Sequence, residues 1–376
     1  MSRGTPRRAG SAVLGAVLIA WVGCLAPGRA SAQPAVASPP ADARIPAAVE
    51  PLPRVRLLAT GGTISNRAGG RLTADELLSA IPRLDRFVRP EAEQFSNVAS
   101  SELTLGQLLQ LSRRANALLA ADRELAGLVV TTGTDTLEEI AYFLSLTVRD
   151  DRPVVVVGSM RNPSTLGYEG AANLLAGFRV AASPEARGLG ALVVLNDEIN
   201  AAREAIKTDA LRLHTFSSRA VGVLGVVDRD RVVILRRTVK RAGARSEFDL
   251  SGVSALPRVD VILVYQDAPG DLIRAAVDLG ARGLVIATAG AGATSGTQGE
   301  GLRYARQRGV LVANATRTGG GRIAADTPPA GKPVDDAYAL SVAAEDLSPL
   351  KARVLLTLAL TRTTDRDEIQ RMFLEY

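Results

Sequence analysis

Two short words in the 376-residue sequence gather hydroxyls, glycines and a carboxylate at the ends of apolar runs. Thr60-Gly61-Gly62-Thr63 closes the run VRLLAT, and Thr132-Gly133-Thr134-Asp135-Thr136 continues the run GLVVTT. Glycine allows a sharp turn and the close approach of a ligand, so Thr63 can stand where backbone N–H groups converge. The same word also suits an ordinary strand exit whose threonines cap the next turn. In the second word a helix cap accounts for one hydroxyl or carboxylate, because first-turn N–H groups need an acceptor. It accounts less readily for the whole cluster.

A hydroxyl is a weak nucleophile at neutral pH and needs a base, a positioned partner and donors for a developing oxyanion. The chain has one histidine, His214, so any Ser-His-Asp arrangement must use it. Lysine is the other option, since burial and neighbours can let an amine accept a proton. Lys207 in LNDEINAAREAIKTDA (195 to 210) is the candidate, and a solvated helix-end charge is its ordinary alternative.

These residues need elements to place them. Branched apolar runs of strand length recur at 55–60, 127–132, 153–159, 191–196, 259–265, 283–289 and 309–316, with helical spacing between most of them, as in 103–121 and 136–148. Strand then helix, repeated, predicts a parallel α/β sheet, and continuous rather than alternating hydrophobicity fits strands covered on both faces. Ligands in such sheets sit at the carboxyl ends of the strands, where TGGT, TTGTDT and GSMRNP fall. Residues 236–255 lose the pattern and gain charge, Gly and Ser. They read as a linker between a larger amino-terminal α/β domain (54–235) and a smaller carboxy-terminal one (256–376).

Residues 1–32 read as a secretory leader: Arg3, Arg7 and Arg8, an apolar stretch from 12 to 27, then Ala30-Ser31-Ala32 as a small-residue cleavage site. The stretch is too short for a spanning helix. A lipid anchor at Cys24 fits less well than cleavage after Ala32, and residues 33–53 read as a disordered lead-in rich in Pro and Ala. Cys24 is the only cysteine, so some 344 mature residues would contain none. That excludes disulfides, thiol nucleophiles and thiolate metal sites. The net charge of +6 is partly the leader's, because removing four of the 45 basic side chains leaves 41 against 39 acidic, net +2. No basic patch interleaved with aromatics marks a nucleic-acid surface, and no ligand-spaced cluster marks a metal. The turn AGAGAT (289–294) lacks dinucleotide-fingerprint spacing.

The words LLATGGTIS, GLVVTTGTDTLEEIAYFL, PVVVVGSMRNP, ALVVLNDEINAAREAIKTDA and the tail LKARVLLTLALTRTTDRDEIQRMFLEY together resemble the bacterial-type (type II, periplasmic) L-asparaginase family, in order across nearly the whole mature chain. The resemblance implies a larger, mostly parallel α/β domain followed by a smaller flavodoxin-like one. It implies hydrolysis of L-asparagine, with L-glutamine possible, through an acylated threonine and without a cofactor. On this likeness Thr63 matches the nucleophile, Thr134 and Lys207 the proton-moving pair, and Asp135 the group that binds the substrate ammonium. Ser100 matches the serine that binds the α-carboxylate, with Gly62, Ser101, Gly133 and Ser159 also lining the substrate. It further implies a periplasmic homotetramer built from tight dimers.

Four departures from the family pattern stand out. Ser101 replaces a longer Gln or Glu, and Thr132 replaces a histidine. The loop after Thr63 (64–77) is short, carries Gly69-Gly70 as a hinge signal, and lacks the tyrosine that usually closes over the nucleophile. The carboxy-terminal domain lacks the asparagine and glutamate that reach a neighbouring subunit, having Ala289–Thr294 and Lys332-Pro333 at those places. These losses motivate the alternative of a catalytically weak or inactive periplasmic amino-acid-binding protein on the same fold.

Overall fold

In the computed structural model, residues 51–218, 220–325 and 340–376 are described. The leader, most of the lead-in, Cys24 and Lys332-Pro333 lie outside the described residues.

Eight strands form the larger sheet, in the order β12-β11-β8-β7-β6-β5-β1-β4. They are β1 (Arg54–Gly61), β4 (Arg89–Val98), β5 (Leu125–Thr131), β6 (Val154–Val157), β7 (Ala191–Leu195), β8 (Glu198–Ala201), β11 (Gly225–Val227) and β12 (Val232–Ile234). From β4 through β7 all neighbours are parallel. From β7 to β12 they are antiparallel. Here Asn196 and Asp197, both at positive φ, make the tight turn between β7 and β8.

The apolar runs are sandwiched as their composition predicts. Val129, Val155 and Val157 face the core containing Leu174 and Phe178 of helix α4 (Gly170–Ala182). Their neighbours Leu128, Val130, Val154 and Val156 face the opposite core, against α2 (Leu105–Ala121) and α3 (Leu137–Thr147). At roughly 1.5–3 kcal/mol for each fully buried Val or Leu, this two-sided burial holds the parallel strands. Thr104 begins α2 with a reciprocal capping box to Gln107.

A second sheet of four parallel strands, β13 (Val259–Leu263), β14 (Gly283–Thr288), β15 (Leu311–Thr316) and β16 (Ser341–Ala343), forms the smaller α/β unit. Helices α5 (Asp271–Asp278) and α6 (Gln298–Gln307) cover one face. Helices α7 (Pro349–Ala359) and α8 (Arg366–Glu375) cover the other, in a core shared with Tyr142 and Phe143 of α3. The connecting residues are not a loose tether: Phe248 is fully buried against the ring of Tyr376, with centroids 5.0 Å apart, and Arg113 donates to the carbonyls of Leu250 and Val253.

Candidate active site

The two threonine words meet because glycine lets their backbones touch. β1 ends at Gly61 (φ +111°) and is followed by Gly62 (φ +87°), conformations that L side chains rarely adopt. A Cβ on Gly62 would lie 2.1 Å from the amide nitrogen of Gly133, so the turn after β1 is packed directly on the turn after β5. The Gly62 N–H donates to Val98 O of β4 at 2.9 Å, and the Thr60 hydroxyl donates to Thr131 O at 2.7 Å. Thr63, half-buried, opens a single tight turn (Thr63–Ser65), and no side chain caps it.

Capping does not absorb the hydroxyls of the second word either. Thr136, at the start of α3, makes no side-chain cap, and its N–H points to Ser100 Oγ at 3.4 Å. Thr134 Oγ1 instead accepts from Lys207 Nζ at 3.0 Å, and the same ammonium contacts Asp135 Oδ1 at 2.7 Å. Lys207 is not at a helix end: it lies in the short strand β9 (Ile206–Lys207), opposite Phe216 in β10 (Phe216–Ser217). Its side chain is 15% exposed, whereas that of Asp135 is 76% exposed. The carboxylate is thus held on one side by the lysine and open to solvent on the other. His214, the alternative base, lies exposed beside Glu198 at 3.3 Å.

Ser100 follows the edge strand β4 and is buried, its Oγ 2.8 Å from where a Cβ on Gly133 would be. Ser101 is exposed, and both serines line a cavity of ≈ 260 Å³ with Thr136, Glu139 and Arg353. Burial raises the Glu139 carboxyl, against the opposing pull of Arg353. A larger groove of ≈ 1090 Å³, lined by Pro257, Arg282, Arg308 and Thr361 among others, contains none of these site residues. Ser159 is fully buried and donates its hydroxyl to Arg161 O at 2.6 Å. Thr132 is fully buried as well, with no hydrogen-bond partner for its hydroxyl.

Below the site lies a pair that the sequence did not flag. Glu138 of α3 is buried, and its Oε1 accepts the backbone N–H of Lys207 at 3.2 Å. Its Oε2 lies 3.8 Å from Nζ of Lys351 on α7, a lysine only 1% exposed. Lys351 also donates to the carbonyls of Arg203 and Ala205, just before Lys207. Burial pushes the Lys351 ammonium down to about 8, with Glu138 opposing. The available signal was a lysine inside LKARVLLTLAL, on the apolar side of a helix.

The segment after Thr63 forms a small antiparallel hairpin, β2 (Asn66–Arg67) with β3 (Gly70–Arg71), around Ala68 and Gly69. Arg71 reaches back to Gly62 O at 3.3 Å, and Ser65 Oγ donates to the same carbonyl at 3.0 Å. Among the described residues no group of three or more His, Cys, Asp or Glu side chains could hold a metal ion, and no helix is long and apolar enough to cross a membrane.

Family comparisons agree with this architecture. The family model "Asparaginase, N-terminal" matches residues 54–240, and "Glutaminase/Asparaginase C-terminal domain" matches 258–373. The chain is similar to L-asparaginase 2 of Bacillus subtilis (strain 168), 40% identical over 86% of this chain and 87% of that one. It is also similar to the glutaminase-asparaginase of Pseudomonas fluorescens biotype A, 36% identical over 86% and 91% of the two chains. A Haemophilus influenzae relative named "Probable L-asparaginase periplasmic" is 34% identical over 86% and 93%. Among solved structures, a "Probable Cytoplasmic L-asparaginase" from Campylobacter jejuni superposes with a TM-score of 0.80 at 35% identity, covering 86% of this chain and 100% of that one. With both halves matched in order and the two threonine turns packed together at the carboxyl end of the larger sheet, this chain belongs to the asparaginase family.

Proposed function

We propose that the protein is an exported amidohydrolase that converts L-asparagine to L-aspartate and ammonia, with a side activity on L-glutamine, through an acyl-enzyme on Thr63. The single observation that carries this reading is the Lys207 ammonium held between the Thr134 hydroxyl and the Asp135 carboxylate, on a turn packed against the one that bears Thr63. A protein that only bound amino acids would have no need of a lysine bonded to a threonine hydroxyl.

Thr63 Oγ attacks the side-chain carboxamide carbon, its proton passing through the Thr134 hydroxyl to Lys207 in its neutral amine form, and the lysine then gives a proton to the departing nitrogen. The C–N bond breaks, ammonia leaves, and a β-acyl ester on Thr63 remains. Water then adds to the ester carbon along the same proton path, releasing L-aspartate and restoring the hydroxyl. Backbone N–H groups of the abutting turns around Gly62 and Gly133 are the donors available to the oxyanion. The exposed side of Asp135 receives the substrate ammonium, and Ser100 receives its α-carboxylate, with Ser101 bordering the cavity beside it. No step calls for a cofactor.

Ammonia release from L-Asn, L-Gln and D-Asn tests this reading, beside Thr63→Ala and Lys207→Met. Loss of L-Asn turnover in both variants is expected. Turnover surviving Thr63→Ala would overturn the nucleophile, and saturable L-Asn binding without ammonia from the parent would turn the assignment to an amino-acid-binding protein. Export rests on the leader and on the Haemophilus relative's name, and predicts an intact mass starting at Gln33 for protein recovered from a bacterial periplasm. A tetramer of paired dimers is the assembly proposed, to be checked by mass in solution.

A further inference from the structure

The hairpin that follows Thr63 has no tyrosine of its own, yet a phenol reaches it from elsewhere. Tyr168, in the loop between β6 and α4, donates its hydroxyl to Ile64 O at 2.9 Å. Its ring lies over Gly170 so closely that a Cβ there would meet the ring at 2.4 Å. A second contact joins the same two segments, because the Ala68 N–H at the hairpin tip donates to Ser164 Oγ at 3.0 Å.

The loop that supplies both groups is braced from within. Glu169 accepts the backbone N–H groups of Met160 and Arg161, Arg161 donates to Gly167 O at 3.1 Å, and Asn162 Oδ1 accepts from Ser164 N and Thr165 Oγ1 at 3.0 Å each. Tyr168 and Ser164 are therefore presented from a scaffold with its own hydrogen bonds rather than from a free loop. The Tyr168 hydroxyl is held well above the usual phenol range by burial and the nearby Glu169, so it stays a donor across the working pH range.

Three successive carbonyls around the nucleophile are anchored. Gly62 O takes Ser65 and Arg71, Thr63 O takes the Asn66 N–H, and Ile64 O takes Tyr168. The first two anchors come from the segment itself and would travel with it. The third comes from another element and fixes the turn against the larger sheet.

Taking Thr63 as the attacking group, and resting on the function proposed above, we infer that Tyr168 is a positioning residue for Thr63. With Ser164 it pins the short hairpin as a fixed wall of the site, adding through the Ile64 carbonyl an anchor that comes from outside the segment. The phenol touches neither substrate nor the attacking oxygen in this scheme. It acts through the backbone.

The test uses the purified full chain with Tyr168→Phe, which keeps the ring over Gly170 and removes only the hydroxyl, and the double variant Tyr168→Phe/Ser164→Ala. Steady-state L-Asn kinetics are measured beside Thr63→Ala, together with trypsin cleavage after Arg67 and Arg71 and thermal melts. The expected result for Tyr168→Phe is a kcat reduced tenfold or more with KM within twofold, a melting temperature within a few degrees of the parent, and faster cleavage in the hairpin, faster still in the double variant. A kcat within twofold of the parent while Thr63→Ala is inactive overturns this inference and leaves the nucleophile in place. Activity surviving in Thr63→Ala overturns the proposed function, and the role of Tyr168 with it. A rise in KM equal to the fall in kcat also overturns it, since misplaced attack on a normally bound substrate would not weaken binding.

Discussion

Substituting Gly62 by alanine tests whether the meeting of two turns sets the position of Thr63. The added Cβ would sit 2.1 Å from Gly133 N and 2.4 Å from its Cα, where ordinary contact begins at 3.4 Å, and both neighbours are backbone. The turns must therefore separate by more than 1 Å. A displacement of ~1 Å at a reacting group can cost ~100-fold in rate, or about 2.7 kcal/mol of barrier. Holding a non-glycine residue at this φ and ψ costs a further ~1–3 kcal/mol of stability, roughly 2 °C per kcal/mol for a chain of this size. The expected outcome is folded protein that melts about 5 °C lower and retains on the order of 1% of kcat. Gly222→Ala is the matched control, because Gly222 also has a positive φ (+75°) but no atom within 4 Å of its virtual Cβ. It should lose stability alone. Ammonia release and differential scanning calorimetry on the three proteins decide the matter. Gly62→Ala retaining kcat within threefold of the parent would refute the claim that this packing aims the nucleophile.

Lys351→Met should cost about 3 kcal/mol in urea unfolding and most of kcat, because Glu138 and two carbonyls beside Lys207 lose their buried partner. The same pair predicts a pH signature: folded Lys351 releases its proton near 8, the unfolded lysine near 10.5, so parent stability rises with pH across that window relative to Lys351→Met. At the other end of the scale, the Arg203 hydrogen bond and charge hold the Asp346 carboxyl down at about 2. That pair's stabilisation is present above pH 4 and lost as pH falls through 2. Its half-exposed carboxylate limits the worth to about 1 kcal/mol, read as the difference between parent and Asp346→Asn in urea melts. Ser101→Gln, which places a longer side chain at the mouth of the cavity beside Ser100, should change the L-Gln to L-Asn ratio of kcat/KM at least threefold, and an unchanged ratio would exclude that position from selectivity.

The parts of this fold that bury on both faces were legible in the sequence, since runs such as PVVVVGS and GLVIATA have one physical use in a chain this long. β4 was not, because RPEAEQFSNV is an edge strand with polar residues throughout, and edge strands lose the signal that burial writes. Ser100, which follows it, was found through family likeness alone. The short antiparallel strands from β8 to β12 are too brief for periodicity to separate them from loop. Lys207 was singled out against the ordinary alternative of a solvated helix-end charge, and it sits in a two-residue strand rather than at a helix end. Glu138 sits in the first turn of α3, where a carboxylate ordinarily complements the helix N-terminus, and Lys351 is a single charge within the apolar run LKARVLLTLAL, so neither residue by itself announces a partner. Only the packing of α7 on α3 shows that each is the other's buried counter-ion. Gly69-Gly70, which suggested a mobile loop, falls at the turn of a short hairpin whose Ala68 N–H donates to Ser164.

The lysine on α7 also fixes when the site can come into being. Lys207 rests on Glu138, and the carbonyls of Arg203 and Ala205 ahead of it rest on Lys351, 148 and 146 positions later in the chain. A ribosome that has synthesised every residue of the larger sheet has still made only an unfinished site, because its floor arrives with residues 349–359. On the function proposed above, catalytic competence is deferred to the last stage of synthesis, and a nascent or carboxy-terminally clipped chain would carry both threonine words without the charge beneath Lys207.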